Sequence, residues 1–123
     1  MKDKIIINCK DFELTEAIES YATEKVVMLD RLLNQDDSSR NSHLRLGKTS
    51  NSHQSGKIFY AELSIHTAEK NFGSRVEAEN IYEAIDLLKD DLFGNITHYK
   101  DKIRTIQRKE ESKFKKETLH KDE

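Results

Sequence analysis

The longest apolar stripe in the chain begins at residue 81. Ile81, Ala84, Ile85, Leu88, Leu92, Ile96, Tyr99, Ile103 and Ile106 recur mostly in steps of three and four, the spacing of one face of an amphipathic helix. Asn80 stands at the N-cap position, and Glu83 three residues on completes an Asn version of the capping box. Gly94 falls mid-stripe and costs the helix about 1 kcal/mol relative to Ala. A second stripe (Leu14, Ala17, Ile18, Tyr21, Ala22, Val26, Leu29, Leu32 and Leu33) predicts a helix from an N-cap at Thr15 to about Leu33. Glu16 and Glu19 occupy its first turn, where the helix dipole favours acids.

Elsewhere the period shortens to two. Residues 4–9 hold three consecutive Ile, with Ile5 and Ile7 facing a core and Ile6 and Asn8 facing away. Leu44 and Leu46 alternate with His43 and Arg45. Phe59, Ala61, Leu63 and Ile65 alternate with Tyr60, Glu62, Ser64 and His66, the clearest strand of the chain. Phe72, Ser74, Val76 and Ala78 share one face of a fourth strand. Residues 34–41 read as a polar loop, and residues 47–56, almost without apolar content, as a long mobile hairpin connection. The order is β-α-β-β-β-α. It predicts an α+β two-layer sandwich: a four-stranded sheet with both helices on one face and the last three strands as an antiparallel meander. The domain is expected to span residues 1–107. Residues 108–123 lose clean periodicity and read as a charged tail, frayed or disordered.

Composition narrows the class. Hydrophobic residues make up 35% and charged residues 36% of 123 residues, which suits one domain with a modest core. The single Cys9 excludes an intramolecular disulfide and fits a reducing cytoplasm. No apolar run is long enough for a signal peptide or a membrane span. The net charge of −2 hides an asymmetry. Residues 1–99 carry 12 Lys/Arg against 17 Asp/Glu, whereas residues 100–116 carry eight against three. The whole chain is therefore no indiscriminate polyanion binder, while residues 100–116 offer a local basic surface. Such a run also serves simply to solvate a helix end.

No catalytic constellation is present. Gly47 and Gly56 lack the context of a phosphate loop. The five His (His43, His53, His66, His98, His120) and Cys9 are scattered without ligand spacing. The expectation is a non-enzyme with no cofactor, no metal and no small-molecule substrate. The residues that stand out are cations. Lys25 and Arg31 lie on the first helix, and Lys89, Lys100, Lys102 and Arg104 on the second. Side by side on one sheet, the two helices would present these six to RNA phosphates. Glu19, Glu24, Asp30, Asp86, Asp90 and Asp91 lie on the same helices and oppose this.

Three runs carry a family resemblance: L-T-E-A-I-E-S-Y-A-T-E-K (residues 14–25), A-E-N-I-Y-E-A-I-D-L-L (residues 78–88) and H-Y-K-D-K (residues 98–102). In this order and on this element plan, the chain resembles the ribosome hibernation-promoting factors and ribosome-associated translation inhibitors, a sigma-54 modulation protein-like family, in its short form. The resemblance covers about residues 4–104. It implies a fold similar to double-stranded-RNA-binding domains. It also implies docking on the small ribosomal subunit and its rRNA in the decoding region, as a monomer off the ribosome. Translation would be inhibited by occupying the tRNA and mRNA sites during stress or stationary phase. Lys25, Lys100 and Lys102 match basic places in the family pattern. Where the family usually reads D-K-L-x-R-Q, this chain has Asp90-Asp91-Leu92-Phe93-Gly94-Asn95, and Met28 stands at a frequent Lys. The basic surface is thinner for it. The alternative is a protein-interaction module that kept the fold with weakened RNA binding. The family's long members add a C-terminal domain that pairs ribosomes. The short form implies none here.

Overall fold

The computed structural model describes residues 4–49 and 58–121, with side chains described to residue 113. Six elements follow the order β1 (Ile5–Lys10), α1 (Glu16–Asp30), β2 (Asn41–Lys48), β3 (Phe59–His66), β4 (Phe72–Ala78) and α2 (Ile81–Lys121). The sheet order is β1-β2-β3-β4. β1 runs parallel to β2 with Ile7 opposite Leu44, and β2, β3 and β4 form the antiparallel meander. The expected sandwich is therefore present, and α1 serves as the crossover that a parallel β1–β2 pair requires.

Both helices bury their stripes on one sheet face. Ile18, Ala22, Val26 and Leu29 of α1 and Ile81, Ala84, Ile85, Leu88, Leu92 and Ile96 of α2 are buried. They meet Leu44, Leu46, Ala61, Leu63 and Ile65 of the sheet in one cluster. Thr15 caps α1, accepting from the Ile18 N–H at 3.2 Å, and Asn80 Oδ1 accepts from the Glu83 N–H at 2.8 Å. Asp11 turns the chain after β1 with a φ of 70°, a conformation that Asp tolerates better than most residues.

The opposite sheet face is polar and cross-linked. Arg45 pairs with Glu62 at 3.1 Å, and the Arg75 guanidinium lies 4.1 Å from the centre of the Tyr60 ring. Tyr60 in turn covers Gly47, where a Cβ would stand 2.6 Å from the ring and push it aside.

Two boundaries differ from the sequence expectation. α1 stops at Asp30, and Leu32 and Leu33 lie in the following turn, half-buried against the core. The cause is a buried ion pair. Asp30, only 3% exposed, accepts from Arg40 Nε at 2.9 Å, and Arg40 also donates to the Asp37 carbonyl. This pair draws the loop back across the end of α1. Asp30 is therefore removed from the acids that oppose the surface cations. α2 also runs on past residue 108, its backbone helical to Lys121. No glycine or proline follows Gly94, and good helix formers fill the segment. β2 ends at Lys48, as expected, and the expected mobile connection at residues 47–56 falls mostly outside the described residues.

Candidate nucleic-acid interface

The helices run parallel and touch along a seam, which fixes where each cation points. Tyr21 of α1 donates to the Asp86 carboxylate of α2, and its ring meets Tyr82 edge-to-face at 5.1 Å. The hydrogen bond to Asp86, aided by burial, pushes the Tyr21 phenol up to about 12. One turn further, Lys25 lies over the Tyr21 ring at 5.0 Å. Lys25 and Lys89 border the same small cleft above Val26, Leu29, Ile85 and Leu88. Their aliphatic stems cover the helix junction while their ammonium groups face water. Lys89 also contacts Asp90 at 3.3 Å and lies 5.6 Å from the Phe93 ring.

At the far end of the seam, Lys100 Nζ donates to the Leu32 carbonyl at 2.8 Å, satisfying an acceptor just past the end of α1. Arg31, the C-cap of α1, is exposed. Arg104 is exposed and stands 3.6 Å from Asp101. Lys25, Arg31, Lys89, Lys100 and Arg104 thus belong to the seam side. Asp86, Asp90 and Asp101 interleave with them.

Lys102 does not join that set. Two helical positions separate it from Lys100, about 200° around the axis. It faces the β4 flank instead and lines a groove of about 580 Å³ with Lys70, Asn71, Asn95, His98 and Tyr99. Lys70 lies 4.9 Å from the Tyr99 ring and 5.7 Å from the Phe72 ring. Sequence reasoning missed Lys70, in the β3–β4 turn, because only the fold brings residue 70 beside residue 102.

The two positions at which the family pattern has cations also part ways. Asp91, on the β4 flank, accepts from Ser74. Gly94 faces outward, and a Cβ at this position would meet nothing within 4 Å, so a larger side chain is sterically free there. Cys9 donates to the Phe12 carbonyl at 3.2 Å, and burial pushes its thiol up, the opposite of an activated nucleophile. Among the described residues no group of His, Cys, Asp or Glu is arranged to hold a metal, and no helix is long and apolar enough to cross a membrane.

Fold and surface together define a small α+β domain with cations on both flanks of one long helix. The chain belongs to the family of the sigma 54 modulation protein and the S30EA ribosomal protein, whose model matches residues 5–104. Solved structures with this fold include the following two. The Protein Y N-terminal domain of Thermus thermophilus superposes with a TM-score of 0.62 at 24% identity, covering 76% of this chain and 93% of that one. A ribosomal subunit interface protein from Coxiella burnetii gives 0.62 at 17% identity, covering 79% and 97%. No curated protein sequence matches significantly.

Proposed function

We propose that the protein binds the small ribosomal subunit in the decoding region. There it inhibits translation by occupying the tRNA and mRNA sites under stress or in stationary phase. The observation that carries this reading is family membership across residues 5–104, nearly the whole folded domain. The surface chemistry is compatible. Lys25, Arg31, Lys89, Lys100 and Arg104 sit on a rigid helix pair and meet rRNA phosphates, and Lys102 adds a contact from the other flank. The protein works as a monomer in the cytoplasm, by occupancy and without catalysis.

Competition tests the proposal. Small subunits programmed with mRNA and tRNA should lose tRNA as the protein is titrated in, and a cell-free translation reaction should slow in parallel. Retention of tRNA at saturating protein would contradict decoding-region occupancy.

One observation favours a second reading, a protein-interaction module. Asp86, Asp90 and Asp101 interrupt the seam cations, and Lys89 and Arg104 each have a carboxylate neighbour. Recovery of a protein partner that survives nuclease treatment, with no rRNA bound, would support that alternative.

A further inference from the structure

Cations also gather away from the helix seam. On α2, the β4-facing sector from residue 95 to residue 113 contains Asn95, His98, Lys102, Thr105, Ile106, Lys109 and Lys113. These positions fall within about 100° of one another at 3.6 residues per turn. None is acidic. Lys102, Lys109 and Lys113 are exposed and stand about 10 and 6 Å apart along the axis. The Lys70 ammonium, held over Tyr99 and Phe72, joins the row from the β3–β4 turn. Asn71 and Asn95 place carboxamides in the same groove. Carboxylates border the row: Asp101 and Glu110 adjoin Lys102 and Lys109 in the chain, Asp91 is engaged by Ser74, and Glu69 lies 3.5 Å from the Tyr99 hydroxyl.

We infer that this flank is a second, separate RNA-contact surface, which tracks the backbone of a single strand. The strand's phosphates meet Lys102, Lys109 and Lys113 in turn. The groove at Lys70, Asn71, Asn95 and His98 holds the end of the strand nearest the sheet. A row of ammonium groups with carboxamide donors at one end suits a sugar-phosphate chain. This deepens the ribosome-binding reading by adding a strand contact that the seam cations do not make. It also extends past residue 104, where the family match ends.

The test uses the full chain and two probes: purified small ribosomal subunits and a fluorescein-labelled 20-nucleotide oligouridylate. Lys102→Gln/Lys109→Gln/Lys113→Gln is compared with the seam variant Lys25→Gln/Lys89→Gln. All these substitutions are at exposed or half-buried lysines, and unchanged thermal melting confirms the fold. The triple variant should bind oligouridylate about tenfold or more weakly, with the slope of log affinity against log salt shallower by about 2. The seam variant should lose distinctly less oligouridylate affinity than the triple variant does. Equal oligouridylate binding by the triple and unaltered proteins overturns the inference. So does the triple variant's loss of a nuclease-resistant protein partner while its RNA binding persists, which would assign the flank to an acidic protein. If the unaltered protein fails to bind small subunits, the ribosome reading falls, and the oligouridylate arm still decides the flank.

Discussion

The two halves of α2 share one backbone geometry and live in different surroundings. From Ile81 to Ile96 the helix buries six apolar side chains against the sheet and α1. From residue 104 to residue 113 every position is exposed. The first half is held by tertiary packing, and its charged residues are the few that the packing leaves outside. The second half has no sheet beneath it and stays helical through its own propensity, which frees its whole circumference for charge. The difference teaches that the first stretch alone carries stability, so substitutions in the second should leave the fold intact.

The largest expected effect lies in the packed half. Ile96→Ala empties a fully buried site and should destabilise the domain by about 3 kcal/mol in urea unfolding. The matching substitution in the second half, Ile106→Ala, removes a side chain that is 43% exposed and should change stability by less than about 0.5 kcal/mol. Similar losses at both positions would mean that the two halves are one packed unit.

Next in size is Gly94→Ala at the boundary. The site is open and helical, so the substitution should stabilise by about 1 kcal/mol and raise the melting temperature by a few degrees. A loss would show that Gly94 serves a bend or a close contact.

The smallest effect sharpens the seam. Tyr21 is partly exposed, and its phenol is raised from 10.0 to about 12 by the bond to Asp86. Because the folded value is the higher one, the stabilisation is complete below pH 10 and disappears as pH rises through about 12. Tyr21→Phe should therefore lower stability by roughly 1 kcal/mol at pH 8 and flatten the fall above pH 10. An unchanged alkaline profile in the variant would remove Tyr21 from the seam's energetics.

Much of this division was legible in the chain itself. Thr15 and Asn80 announced both helix starts, because a cap is local chemistry. The alternation of Phe59 to Ile65 announced β3, because one face of a sheet must be apolar. The end of α1 was not legible. Leu32 and Leu33 continue the apolar period, but the Asp30–Arg40 pair, ten residues apart, bends the chain away first. Nor could periodicity show that Lys100 would be drawn to the Leu32 carbonyl, since that contact spans 68 positions. The separation of Lys100 from Lys102 was available from helical geometry alone, as was the spacing of Lys102, Lys109 and Lys113. Grouping cations by position along the chain, and not by angle around the axis, concealed both. Lys70 lay beyond reach until the β3–β4 turn was placed.

At the centre stands the claim that this folded domain binds the small ribosomal subunit through its cations. Co-sedimentation of the protein with purified small subunits across a salt series tests it most directly. Co-migration is expected at low salt and should weaken linearly in log affinity against log salt, with a shallower slope for Lys25→Gln/Lys89→Gln/Lys102→Gln. Absence of co-migration at every salt concentration, or binding indifferent to salt and to those three lysines, would contradict it.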